Sequence, residues 1–265
     1  MADILKEICD RRREDVIKNR KERPIATLQN EIKSHSSPRP FADNLKAKAA
    51  AKEIGLIAEV KRASPSQGEI RPDISPIEVA TAYENNGASC LSVLTEPHWF
   101  KGHDKYIAQI KQNVDLPILR KDFMIDPYQI VESRCIGADC ILIIMAALSD
   151  MQAGELCAAA REYDMDILVE VHDFAERDRV FNAGLEFDLL GINNRNLKTM
   201  QIDLDTSIKL SKDLPGDTIV VCESGLNTHD DILRMNEHDI YCFLIGTSLM
   251  KQPDIALATR KILGA

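Results

Sequence analysis

Eight short apolar runs recur along this chain, each followed by a stretch with helical spacing. No other feature restricts the fold as much. The runs are "LIAEVK" (56–61), "SCLSVLT" (89–95), "PILRKDF" (117–123), "CILIIMA" (140–146), "DILVEVH" (166–172), "DLLGIN" (188–193), "TIVVCES" (218–224) and "CFLIG" (242–246). Their ends lie about 20 to 35 residues apart, the pitch of a strand, a loop, a helix and a return loop. Several are nearly continuous in Val, Ile and Leu, as parallel strands covered on both faces must be. Between them the helix signals are local. Ser75-Pro76 reads as an N-cap followed by a first-turn proline, Ser149 opens a second helix, and Thr228 with Asp231 makes a capping-box spacing.

Eight βα units close most simply as a (β/α)8 TIM barrel. A doubly wound open sheet is the alternative, but no G-x-G-x-x-G follows the first run. The expectation is a single barrel domain over residues 1–265, of which 1–54 is a helical N-terminal extension. Ile4, Leu5, Ile8, Val16 and Ile17 give its first helix an apolar stripe, "DNLKAKAAAKEIG" reads as a second helix, and "SHSSPRPF" is a loop between them. The extension is either a plug over one end of the barrel or a lid over a site.

Composition narrows the partners. The 265 residues are 45% apolar with a formal charge of −9, which argues against nucleic acid but leaves room for a small anion in a locally basic pocket. The seven cysteines show no C-x-x-C and read as free, buried thiols of a reducing compartment. The start "MADILKEICDRRREDVIKNR" is charged and helical rather than a secretion signal. The apolar run "ILIIMAAL" is too short to span a bilayer. A soluble, cytoplasmic protein that is a monomer or a weak homo-oligomer is expected.

Barrels of this kind carry their chemistry at the C-terminal strand ends. Read there, the chain offers Glu59 and Lys61, Lys121, Glu170, Asn193 and Arg195, then Glu223-Ser224-Gly225 and finally Gly246-Thr247. Glu59 and Lys61 share a face with Ile57, because side chains alternate along a strand. Two or more acids, two lysines and an amide at one mouth cost several kcal/mol per buried charge unless they pair or meet a charged ligand. The glycine and hydroxyl residues after the last two strands fit the usual phosphate position of the fold. No metal-ligand spacing is present, His172 reads as a supporting or rim histidine, and Ser64 and Ser66 suit substrate positioning rather than nucleophilic attack.

The segments "IAEVKRASPSQG", "SVLTEPHWFKG", "PILRKDFMIDPYQI", "LVEVHD", "GINNRNL", "CESGL" and "FLIGTSLM" resemble, in order, the signatures of the indole-3-glycerol phosphate synthases. The resemblance implies a tryptophan-biosynthetic lyase that closes 1-(2-carboxyphenylamino)-1-deoxyribulose 5-phosphate with loss of CO2 and water, using no cofactor and no metal. It makes Lys121 the general acid at the ketone oxygen and Glu170 the acid/base of dehydration. Lys61, oriented by Glu59, becomes a partner for the substrate carboxylate or a second acid. Asn193 would hold the reacting oxygen or a water, and Glu223 would complete the charge network. Phe100, Phe123 and Leu142 would wall the anthranilate ring. Ser64, Ser224, Gly225, Gly246 and Thr247 would surround the phosphate, with Arg195 near the ligand or buttressing the acids. Thr247, Asn196 and His103 stand where the family more often has serine, aspartate and serine. None of these changes removes a catalytic candidate. Two other readings stay open: a related sugar-phosphate barrel such as phosphoribosylanthranilate isomerase, and a non-catalytic phosphate-binding barrel.

Overall fold

The computed structural model describes residues 4–265. The eight apolar runs become β1 (Gly55–Val60), β2 (Cys90–Leu94), β3 (Ile118–Lys121), β4 (Cys140–Ile144), β5 (Asp166–Val171), β6 (Leu189–Asn193), β7 (Val220–Glu223) and β8 (Cys242–Ile245). Each pairs in parallel with its neighbours, and β1 also pairs with β8, so the sheet closes and the open-sheet alternative falls. Lys61 lies one residue past the end of β1. A small hairpin, Ala63–Ser64 against Gly68–Glu69, follows it.

The expected caps are formed. Ser75 accepts from the Glu78 N–H, and both Ser149–Gln152 and Thr228–Asp231 make reciprocal capping boxes. Each satisfies amide donors that a helix start leaves unpaired, which is worth about 1 kcal/mol per cap.

The extension differs from the expectation. It holds three helices rather than two: α1 (Ile4–Glu22), α2 (Ile25–Ile32) and α3 (Phe41–Ala50). Ile25 and Leu28 lie a turn apart and Ile32 a further turn on, and Leu28 is fully buried. Phe41, read as loop, is the first residue of α3. On α1, Ile8 and Val16 are buried, but Ile17 is 57% exposed and is not part of the stripe.

Plug and lid turn out to be different helices. Phe41, Ala42 and Leu45 of α3 enter the N-terminal end of the barrel and pack with Ile57, Cys90, Leu119, Cys140, Leu168, Leu189, Val221 and Cys242. Burying Phe41 and Leu45 contributes about 1.5–3 kcal/mol each. The Ala42 N–H donates to Asp166 Oδ2 (2.8 Å) and fixes this plug in place. Ile4, Leu5 and Ile8 of α1 instead line the cavity at the opposite, C-terminal end. None of the seven cysteines forms a disulfide among the described residues, and all are buried. Among the described residues no helix is long and apolar enough to cross a membrane.

Candidate active site

The C-terminal mouth holds a cavity of about 410 Å³. Its lining includes every residue given a catalytic or substrate-binding role by the resemblance: Glu59, Lys61, Ser64, Phe100, Lys121, Phe123, Leu142, Glu170, Asn193, Arg195, Glu223, Ser224, Gly225, Gly246 and Thr247. Strand register explains the convergence. Glu170 lies beside Ile144 on one side and Gly191 on the other, and Asn193 lies beside Glu223.

Lys121 is the centre of the site. Its Nζ donates to Glu223 Oε2 at 2.7 Å and to Glu170 Oε2 at 3.2 Å. Burial disfavours the ammonium, but Glu223, Glu170 and Glu59 together outweigh it and hold Lys121 firmly protonated. The two acids then diverge. Burial opposes ionisation of Glu170, yet Lys121 and then His172 prevail and bring it down to about 2. Burial raises Glu223, and with the neighbouring Glu170 charge it overcomes the pull of Lys121, placing Glu223 at about 8. Two buried carboxyls beside one ammonium do not ionise equally, and Glu223 is the one that favours the neutral, protonated form. Glu223 Oε1 is buried against Gly191 and has no hydrogen-bond partner.

A second pair stands across the mouth. Lys61 Nζ donates to Glu59 Oε1 at 2.6 Å, with both side chains largely buried. His172 is not on the rim. Its Nδ1 meets Glu176 at 3.0 Å and its Nε2 lies 3.4 Å from Glu170 Oε1, so it backs the acid from behind. Arg195 does not buttress the acids; its guanidinium reaches the Met200 carbonyl (3.5 Å), and its backbone N–H donates to Asn193 Oδ1 (3.0 Å). The Phe100 and Phe123 rings, 6.0 Å apart and tilted, form an aromatic wall.

The end of β7 is strained. Ser224 and Gly225 both have left-handed backbones, at φ +66° and +92°. For a serine this costs on the order of 1–3 kcal/mol, and such strain collects at ligand sites. Gly225 is required twice over, since a Cβ there would press on Ile202 at 2.6 Å. Asn194 holds the turn by donating to the Ser224 carbonyl at 3.0 Å, while its own Oδ1 accepts from Ser207.

Sequence reasoning missed several participants. Gly246, read as part of an anion cradle, also makes room for the Glu59 carboxylate, and Gly191 does the same for Glu223; a Cβ at either would overlap the acid. Glycine inside a strand is the available signal for such close approach. Gln67, Lys251, Leu197 and Met200 also line the cavity, and Lys251 Nζ donates to Gln67 Oε1. Their loops gave no periodicity to read. Among the described residues no group of three or more His, Cys, Asp or Glu side chains is placed to hold a metal ion.

The family model described as "Indole-3-glycerol phosphate synthase" matches residues 5–262. The chain is 47% identical over 264 residues to the indole-3-glycerol phosphate synthase of Zymomonas mobilis subsp. pomaceae, covering 100% of this chain and 99% of the relative. It is 48% identical over 263 residues to that of Azospirillum brasilense, covering 99% of this chain and 100% of the relative. Among solved structures, 3-hexulose-6-phosphate synthase from Salmonella typhimurium superposes with a TM-score of 0.61 at 14% identity, over 80% of this chain and 97% of that one. That last likeness speaks for the fold alone.

Proposed function

The chain belongs to the indole-3-glycerol phosphate synthase family, and from that premise we propose how its own residues carry the reaction. It is a carboxy-lyase of tryptophan biosynthesis, converting 1-(2-carboxyphenylamino)-1-deoxyribulose 5-phosphate to indole-3-glycerol phosphate, CO2 and water. The observation that carries the mechanism is the Lys121 ammonium held between two buried carboxyls, with the Lys61–Glu59 pair across the same mouth.

The substrate brings a phosphate, an apolar ring and a carboxylate. Ser224, Gly225, Gly246 and Thr247 receive the phosphate, where a short helix begins at Thr247 and its first amides lack intrahelical acceptors. Phe100, Phe123 and Leu142 hold the ring, and Lys61 faces the carboxylate. The ring carbon that bears the carboxylate attacks the ketone carbon. The carbonyl electron pair moves to oxygen, which takes a proton from Lys121. The C–CO2 bond then breaks and its electrons restore the aromatic ring. In the last step a base takes a proton from the adjacent CH2 and passes it to the new hydroxyl, which leaves as water, and Lys121 recovers its own proton from solvent. Glu170, held ionised, acts as the acid/base of this dehydration. Asn193 holds the departing oxygen, and the neutral Glu223 keeps Lys121 in place without quenching its charge.

The test is direct. Purified protein is mixed with the substrate in the presence of EDTA, and indole absorbance and fluorescence are followed. A rise is expected, and Lys121→Met should lower kcat about 10²- to 10⁴-fold, the range of a lost general acid. Absence of indole from the unaltered protein would overturn the reading. Full turnover by Lys121→Met would remove Lys121 from its role.

A further inference from the structure

One carboxylate at the mouth is buried although the reaction gives it nothing to do. Glu96, two residues past β2, is fully buried and lies outside the cavity lining. Its partners are three successive backbone amides. Oε1 accepts from the His98 N–H at 2.8 Å, and Oε2 accepts from the Trp99 N–H at 2.7 Å and the Phe100 N–H at 3.0 Å. One side chain thus gathers the donors of residues 98–100 into a single turn. The Glu96 carbonyl closes the loop by accepting from the Gly102 N–H at 2.8 Å. Gly102 is held hard against β2, since a Cβ there would meet the Leu94 carbonyl oxygen at 2.5 Å. The loop is tied down at its root and at its end. Between them stands Phe100, whose ring faces Phe123 in the aromatic wall.

We infer that Glu96 is a positioning residue for substrate binding: its carboxylate folds the loop after β2 so that Phe100 stands in the wall that receives the substrate ring. The inference rests on the synthase reading for its substrate. The chemistry of the turn calls for a carboxylate. An amide at position 96 offers one oxygen to three donors and turns its own NH2 toward the rest, so at least one backbone N–H loses its acceptor. A buried N–H without a partner favours opening of the loop to water. Phe100 then leaves the wall, while Lys121, Glu170 and Glu223 stand on other strands and keep their contacts. An apolar wall holds the ring alike in the ground state and the transition state, so its loss raises KM and leaves kcat. Trp99, the single tryptophan of the chain, lies in the same turn and meets His98 edge-on with ring centroids 5.8 Å apart. Its emission reports whether the loop is in place.

The experiment compares Glu96→Gln, Phe100→Ala and the double variant with the unaltered protein, in steady-state indole formation and in Trp99 fluorescence. Glu96→Gln should raise KM about tenfold with kcat within about threefold, shift Trp99 emission to the red and increase its quenching by acrylamide. In the Phe100→Ala background the same change should alter KM by less than about threefold, because the ring through which Glu96 acts is already gone. A glutamate with a merely structural role would weaken both backgrounds equally. Glu96→Asp reaches the nearer amides of His98 and Trp99 but falls short of Phe100, so its KM should rise only about threefold. An unchanged KM, a kcat effect larger than the KM effect, an unchanged Trp99 signal, or an equal KM rise in the Phe100→Ala background each overturns the inference. If Glu96→Gln does not fold, Glu96→Asp decides: a raised KM together with a Trp99 shift supports it, and anything less refutes it. If the unaltered protein makes no indole, the synthase reading fails by itself. Positioning of the loop is then judged by Trp99, where identical emission and quenching with and without the Glu96 carboxylate refute it and a shift supports it.

Discussion

Gly191→Ala separates the stability of this barrel from its chemistry. Gly191 lies in β6 beside Glu170, and the carboxylate of Glu223 crosses directly over its Cα. The backbone there has no left-handed requirement, and the atom in the way is the far end of a side chain, so the fold accommodates a methyl. Alanine in place of glycine within a strand gains about 0.5–1 kcal/mol from reduced unfolded-state freedom. The carboxylate has to retreat by about an ångström to reach ordinary van der Waals separation. That stretches the 2.7 Å contact to Lys121 Nζ beyond hydrogen-bond range. A hydrogen bond to a charged group is worth about 1.5–3 kcal/mol. If the lost contact serves the transition state, kcat falls about 10- to 150-fold. The assay is initial-rate indole fluorescence paired with thermal unfolding. The expected result is a thermal midpoint lowered by only a few degrees, because the alanine gain offsets part of the lost hydrogen bond, with a kcat lowered by at least tenfold. A kcat within threefold would show that Glu223 does not position Lys121.

Two further outcomes follow from the buried groups. Glu223, raised from its ordinary 4.5 to about 8, holds a proton in the folded state that the unfolded chain has released over that interval. Its contribution to stability therefore declines as pH rises from about 4.5 to 8, and activity falls as the carboxyl ionises. Glu223→Gln imitates the protonated form, so it should flatten both limbs between pH 6 and 8.5 in urea unfolding and in kcat/KM; identical profiles would place the proton elsewhere. The seven cysteines are buried, and burial lifts the Cys157 and Cys222 thiols to about 11 and Cys242 to about 12. A thiol reagent should label fewer than about one equivalent in the native protein and all of them on unfolding; rapid native labelling of two or more would contradict the burial.

The barrel was legible because its strands are apolar on both faces, and the mouth because charged residues interrupt those runs at their ends. Lys121, Glu170 and Glu223 could be placed together by strand order alone. The environment of Arg120 could not. It is fully buried on the far side of β3 from Lys121, bonded to Thr95, Ser133, Asp104 and Glu132 on three other segments. Nothing local in the sequence marks those partners. The same holds for Arg12, one of three consecutive arginines of which only it is buried. Helix α2 escaped notice because its two turns are bounded by charged stretches that hide a short apolar spacing. The second role of Gly246 depends on where the Glu59 side chain lies, which only the closed barrel determines.

The plug at the bottom of the barrel has a consequence for how the chain is made. A ribosome delivers α1, α2 and α3 before any strand, yet the surfaces that receive them come late. The plug waits for Asp166 on β5 and Cys242 on β8, and α1 waits for Asp122, which accepts from Arg12. Nascent α3 thus emerges with only β1 following at once to meet Phe41 and Leu45, and the remaining partners arrive strand by strand. The segment synthesised first completes its contacts only when the last strand is in place.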